Sequence, residues 1–442
     1  MVKKGKNKIF ESAEKHLILS MIEKLEPIIV SEAKGALIKS VEGHEYVDCF
    51  SGISVVNAGH GHKKIIKAAV EQAKKYVHVC NYLYHNPVTI KLAEKLALIS
   101  PNPALTKTFF GSSGAEAIEC AIKLSKKFTK KQELLALTCS FHGRTVATLS
   151  ITGQSMRKRY DMGPYLSGVA FAPAPYCYRC PLQKKYPKCD ISCAHYIEHI
   201  LDYTTSNNVA AFIAEPILGE GGIITPPIEY FGIVKEILDK RGILFITDEV
   251  QTGFGRTGMM FGIEHYGVKP DIITMAKGIA NGFPLGACLT RSDIGNSFEI
   301  GDHLSTFGGN PVSAAAALAT IDVIINEKLS RQSAEKGKYC IKRIREMKKT
   351  HPIIGDVRGK GLMIGIELVK DKVKKVPAIA EAKKVREKCR QKRVLIGVGG
   401  VSGAVLRIQP PLIIEKRQLD KALEIIEEKI SLVEKTGDIK IQ

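Results

Sequence analysis

The sequence predicts an α/β protein in which a large domain built on a mostly parallel sheet is followed by a smaller α+β domain. Three observations carry this expectation. From about residue 63 onward, helical patterns alternate with short apolar runs at 210–214 (AAFIA), 243–247 (ILFIT) and 271–275 (DIITM). Such runs suit strands buried on both faces of a parallel sheet. After about Pro311 the pattern changes to two long helical stretches, 312–326 and on to 349, then strand-like runs at 362–369 and 405–408. The last helix carries Leu419, Ala422, Leu423, Ile426, Ile430 and Val433, spaced for one buried face. The expected division is an N-terminal segment, 1–62, packing with the small domain; a large domain, 63–311; and the small C-terminal domain, 312–442.

Bulk properties narrow the function. A chain of 442 residues that is 45% hydrophobic is too long for one simple core and too apolar for disorder. It has no run of eighteen or more apolar residues, and its basic start, residues 1–8, is not followed by an apolar stretch of signal-peptide length. A cytoplasmic protein is expected. The net charge of +20 invites a nucleic-acid reading, but the lysines are spread along the chain and there is no Trp. No aromatic-basic interleaving or helix-turn-helix pattern accompanies them, so specific nucleic-acid recognition is not expected. A positive field would also draw in small dicarboxylates.

Three segments carry candidate chemistry. Gly111-Ser112-Ser113-Gly114-Ala115-Glu116 follows an apolar stretch and opens a helix, where free backbone N–H groups and the helix dipole suit an anion such as phosphate. Taken alone, the string also reads as an ordinary helix cap. Asp248 follows the run 243–247 at a strand's carboxyl end, and a carboxylate there needs a cation or a donor. It fits a salt bridge as well as a partner for a cofactor's ring nitrogen. Lys277 ends the next apolar run and precedes Gly278. Desolvated there, its amine would lose its proton and become a nucleophile; the bland alternative is a lysine that reaches out to solvent.

The order and spacing of these three pieces resemble the fold-type-I pyridoxal-phosphate enzymes. The strings GSSGAEAIECAIK, SFHGRT, EPILGEGG, TDEVQTGFGRTG, MAKG, TFGGNP and LRIQPPL more narrowly resemble class III (ω-type) aminotransferases, in the family's order from about Val47-Asp48 to Leu412. The resemblance implies that Lys277 carries pyridoxal 5'-phosphate as a Schiff base and that Asp248 pairs with the pyridine nitrogen. It puts Gln251 near the ring hydroxyl, Val250 on one ring face and Phe141 on the other. Backbone groups of Gly114 and Ala115 would cradle the phosphate, with Ala115 where many relatives carry Ser or Thr. Thr306 would reach the phosphate from a neighbouring subunit, so a homodimer, or a dimer of dimers, is expected.

For the substrate, the same resemblance assigns Arg144 to the donor's carboxylate and Arg407 to the α-carboxylate of glutamate, a task suited to a planar guanidinium. Glu220 would pair with Arg407 when an ω-amine occupies the site and swing away for glutamate. Ile53 would lie against the donor's aliphatic chain, and Tyr82 and Tyr84 would roof the entrance. Leu218 stands where many relatives have Gln, which would alter pocket polarity, and His142 is read as structural. The expected reaction is transamination from an ω-amino acid, 4-aminobutyrate above others, to a 2-oxo acid such as 2-oxoglutarate. Acetylornithine or ornithine transamination, racemisation or epimerisation by a family member, and a non-catalytic binding protein on the same fold are the alternatives.

Of eleven cysteines, expected as thiols in a cytoplasmic chain, four cluster as Cys177-x2-Cys180-x8-Cys189-x3-Cys193. The spacing admits a structural zinc site, disulfides or free thiols. No metal is expected at the catalytic site.

Overall fold

The computed structural model describes residues 2–20, 25–154 and 158–436. After a helix at Val2–His16, the chain forms a small meander of β1 (Val30–Lys34), β2 (Leu37–Ser40) and β3 (Glu45–Asp48). The central sheet follows, made of β4 (Leu105–Gly111), β5 (Glu133–Leu137), β6 (Val169–Ala172), β7 (Val209–Ala214), β8 (Leu244–Asp248), β9 (Ile272–Met275) and β10 (Gly286–Arg291). Its spatial order is β4-β10-β9-β8-β7-β5-β6. Strand β10 runs antiparallel to both of its neighbours, while β9, β8, β7, β5 and β6 pair in parallel. Every residue of β7, β8 and β9 is buried, which explains why these strands read as continuous apolar runs and not as alternating ones.

Parallel strands need crossovers, supplied by helices such as Gly114–Thr129 between β4 and β5, Ser192–Tyr203 between β6 and β7, and Tyr230–Lys240 between the neighbours β7 and β8. Consequently Gly111, Asp248 and the residues just after Leu137 and Met275 all emerge at the carboxyl ends of strands, where ligands bind in open α/β sheets.

The C-terminal part adds a second sheet from β11 (Ile354–Lys360), β12 (Met363–Leu368), β14 (Gly397–Gly399) and β15 (Val405–Ile408), ordered β11-β12-β15-β14. The two-residue strand β13 (Val394–Leu395) instead joins the N-terminal meander, parallel to β3. Glu26 meets Arg386 at 2.6 Å and Arg390 at 2.8 Å across the same junction. The preceding long helix starts at Pro311, one residue before its apolar pattern, because the Asn310 side chain accepts from Val312 N and Ser313 N and proline suits a first helical position. The final helix, Lys416–Thr436, buries Leu419, Ala422, Leu423, Ile426, Ile430 and Val433. Among the described residues no helix is long and apolar enough to cross a membrane.

Candidate active site

The cleft at the strand ends has a volume of about 330 Å³ and is lined by residues from all three candidate segments, including Ser113, Gly114, Ala115, Asp248, Val250 and Lys277. The anion end is built by the helix Gly114–Thr129. Ser113 caps it, accepting from Glu116 N at 3.2 Å, and the Glu116 carboxylate reaches back to Ser112 N. The N–H groups of Gly114 and Ala115, which this cap does not engage, are the ones left to an anion. A Cβ on Gly114 would come within 3.1 Å of both Val250 methyl groups, so only glycine lets this turn approach so closely.

Asp248, the last residue of β8, is buried and fully engaged. One carboxylate oxygen accepts from Val250 N at 3.0 Å, and the other lies 2.8 Å from His142 Nδ1. The next strand end holds Lys277 at a φ of 48°, a left-handed conformation that costs a non-glycine residue energy and is retained at functional sites. Burial pushes the Lys277 amine below its ordinary pKa, only partly opposed by Glu220, Asp248 and Glu215. Such an amine is a ready nucleophile.

Phe141 and Gln251 also line the cleft. The Phe141 backbone N–H donates to Glu215 at 2.9 Å, and Gly219 N donates to the other Glu215 oxygen at 2.8 Å. Gln251 is held by Gln409, whose Nε2 donates both to Gln251 Oε1 at 3.0 Å and to Ser54 Oγ at 2.7 Å. Glu215, Gln409 and the cleft-lining Phe283, Pro284 and Leu285 were not singled out from sequence; of these Glu215, inside the string EPILGEGG, and Gln409, inside LRIQPPL, lay beside residues already chosen.

Ile53, Arg144 and Arg407 line an adjoining groove of about 660 Å³ together with Phe50 and Val398. Ile53 sits in a left-handed turn in which Ser51, Gly52, Ile53 and Ser54 all have φ between 48° and 68°. Asp48 holds the turn's entry by accepting from Phe50 N and Ser51 N, each at 2.8 Å. Glu220 forms a buried ion pair with Arg407. Burial raises the Glu220 carboxyl, but Arg407 and Lys158 outweigh it and hold the group at about 2. Arg144 is exposed, pairs with no carboxylate among the described residues, and lies 5.5 Å from the Phe141 ring centroid.

Two expectations need correction, and a third, Thr306, concerns a neighbouring subunit's cleft. Leu218 does not line the cleft; it is fully buried, exchanging backbone hydrogen bonds with Ile224, so it cannot set pocket polarity directly. Tyr82 and Tyr84 are exposed and outside the residues lining either cavity. Thr306 is exposed and away from its own chain's cleft lining. Cys177, Cys180, Cys189 and Cys193 are all thiols around one cavity of about 20 Å³. Burial, with the other three thiols adding, pushes Cys193 up to about 12. Among the described residues no three side chains of metal-binding type are arranged to hold an ion.

Comparisons with known proteins agree with this geometry. The family model described as aminotransferase class-III matches residues 20–430. The chain is 43% identical over 415 residues to a leucine/methionine racemase of Thermococcus litoralis, covering 93% of each chain. It is 41% identical over 406 residues to an acetylornithine aminotransferase of Methanothermobacter thermautotrophicus, covering 92% of this chain and 94% of the relative. Its fold matches an amine transaminase from an uncultivated Pseudomonas species in its pyridoxal-phosphate-bound form, with a TM-score of 0.88 and 29% identity over 94% of this chain and 97% of that one.

Pyridoxal phosphate, the cofactor of that structure, fits the cleft. A desolvated lysine and a buried carboxylate fixed by His142 line the same cleft, the kinds of group that an aldehyde and a ring nitrogen call for. The glycine turn supplies N–H donors at the other end, and the volume suits a small heteroaromatic phosphate.

Proposed function

Because this chain belongs to the class III aminotransferase family, whose cofactor is pyridoxal phosphate, we propose that it moves an amino group from an ω-amino acid to a 2-oxo acid, with 4-aminobutyrate and 2-oxoglutarate as the leading pair. The observation that carries this reading is the contrast between two arginines. Arg407 is already neutralised by Glu220, whereas Arg144 has no carboxylate partner among the described residues. A donor with one carboxylate meets one available guanidinium, which places its amine at the far end of an aliphatic chain running past Ile53.

When bound, the cofactor supplies an aldehyde that captures amines and a cationic ring that accepts the electron pair left when the substrate carbon loses a proton. The protein's own residues do the rest. Lys277 would hold the cofactor covalently and, once released by the donor, carry the proton off the substrate carbon and later return one, serving as anchor and as general acid/base. Asp248, fixed by His142, would keep the ring nitrogen protonated. Phe141 and Val250 would take the two ring faces, Gln251 the ring hydroxyl, and the N–H groups of Gly114 and Ala115 the phosphate. For the returning half, a 2-oxo acid would place its α-carboxylate on Arg407 after Glu220 withdraws.

The active unit in this reading is a homodimer. Thr306 stands next to the exposed apolar side chains Leu304 and Phe307, and this loop is tied to the segment around Asn81 by hydrogen bonds from Asn81 Nδ2 to Gly308 O (2.7 Å) and Gly309 O (2.8 Å). Leu83 and Tyr84 continue the exposed apolar surface, the kind that marks an interaction face. A second copy seated there would bring its Thr306 to this chain's cleft.

A donor-by-acceptor screen of purified holoenzyme tests the reaction. Succinic semialdehyde formed from 4-aminobutyrate with 2-oxoglutarate is the expected result; turnover of ornithine or acetylornithine instead would reject the donor assignment. The 43% identity to a racemase favours one second reading, in which the same Lys277 and Asp248 invert a neutral amino acid. Chiral chromatography of a single enantiomer incubated without any 2-oxo acid separates the two, since only a racemase gives the mirror form.

A further inference from the structure

Lys158 lies outside the cofactor cleft's lining and outside the motifs above. Its side chain is only 5% exposed, and its ammonium sits 3.5 Å from Glu220 Oε2. The other Glu220 oxygen takes the Arg407 guanidinium. The same ammonium lies 5.2 Å from the Phe141 ring centroid, on a ring that Arg144 also approaches. One buried carboxylate thus bridges two buried cations beside a third, exposed one.

This arrangement answers an energetic difficulty. Arg407 can receive a substrate carboxylate only if Glu220 lets go, and Glu220 is 8% exposed. Withdrawing a buried carboxylate from its only cation would leave an uncompensated buried charge, which opposes the exchange. With Lys158 already at its second oxygen, Glu220 can leave Arg407 without becoming unpaired. The charges agree. Arg407 and Lys158 both face Glu220, and Arg144 has no carboxylate partner among the described residues, so each arginine can receive one carboxylate of a dicarboxylate.

We propose that Lys158 is a positioning residue that keeps Glu220 paired while a dicarboxylate occupies Arg407, and that it thereby sets the site's preference for dicarboxylates over monocarboxylates. The inference rests on the reading that Arg407 receives a substrate carboxylate. It makes Lys158 necessary for the 2-oxo acid half of the cycle and nearly irrelevant to a donor with a single carboxylate, which leaves the Glu220–Arg407 pair in place.

The test is calorimetric binding of glutarate and of pentanoate, the same chain with one carboxylate fewer, to holoenzyme of the wild type, K158M and K158R. Neither ligand carries a carbonyl or an amine, so turnover is not needed. The expected result is that wild type prefers glutarate and that K158M loses on the order of tenfold or more in glutarate affinity, the usual scale for a charge-assisted contact. Pentanoate affinity stays within about twofold, and K158R restores most of the preference. In steady state, K158M raises KM for the 2-oxo acid while leaving KM for the donor unchanged. Equal loss for both ligands, or glutarate binding unchanged in K158M, overturns the proposal. A wild type that binds glutarate no better than pentanoate overturns it too, together with the role of Arg407. Failure to form succinic semialdehyde with the glutarate effect intact would instead reject only the proposed reaction. Matching thermal melts of the three proteins show that the substitutions leave the fold in place.

Discussion

The imidazole Nδ1 of His142 lies 2.8 Å from a carboxylate oxygen of Asp248, with both side chains buried and His142 Nε2 without a partner among the described residues. Asp248 therefore cannot rotate away from the cleft without stranding a buried histidine. Replacing His142 with Phe removes one hydrogen bond to a charged group, worth roughly 1.5–3 kcal/mol. The expected outcome is a 10- to 100-fold loss of kcat with little change in donor KM. Steady-state kinetics of H142F against the wild type check this, with a melting curve to show that the fold survives.

Lys277 is the most sensitive position. K277A removes both the covalent anchor and the positioned acid/base, so activity is expected to fall by on the order of 10³-fold or more. The visible absorbance of lysine-bound cofactor should vanish as well. Retention of that band in K277A would mean that another amine holds the cofactor.

Arg256 is fully buried and forms no ion pair with a carboxylate among the described residues. Its guanidinium donates to Leu362 O, Pro410 O, Ser51 Oγ and Asn57 Oδ1, tying the N-terminal segment to two C-terminal loops. Burial pulls its pKa down to about 9, with Asp48 opposing. R256M leaves four acceptors without their donor, and the expected destabilisation is about 3–5 kcal/mol, read from denaturant unfolding of the cofactor-free protein.

Glu215 makes stability depend on pH. Burial raises its carboxyl to about 7, with His142 opposing, from an ordinary value of 4.5. A carboxyl raised in the fold is protonated more readily there than in the unfolded chain. Its favourable contribution is therefore full below about 4.5 and is lost as pH climbs to about 7. E215Q, which mimics the protonated form, should flatten that stretch of the stability profile by about 1–3 kcal/mol. Denaturant titrations at several pH values between these limits measure it; parallel wild-type and E215Q profiles would contradict the assignment.

Gly286 opens β10 where a Cβ would stand 2.0 Å from Ser113 O and 2.7 Å from Ser113 C. G286A must push the glycine turn away from the strand end. The expected effect is at least a tenfold weaker hold on pyridoxal phosphate, about 1.4 kcal/mol or more, with a smaller change in donor KM at saturating cofactor. Reconstitution titrations of the cofactor-free protein provide the measurement.

Taken by itself, the sequence determined the fold class and picked out two charged residues at strand ends that line one cleft. A buried parallel strand must be apolar throughout, so a charged residue at its end, Asp248 or Lys277, stands out against its neighbours. The glycine-serine turn before a helix is legible for the same local reason. The tertiary structure alone decided which groups those residues meet. His142 and Asp248 are 106 residues apart, Lys158 and Glu220 62, and Gln251 and Gln409 158, and no local pattern links such pairs. It also moved Leu218 into the core and set Gly286 against Ser113. Hydrophobic periodicity fixes which face of an element is buried, but the partner of a buried polar group is chosen by how the strand ends converge in space.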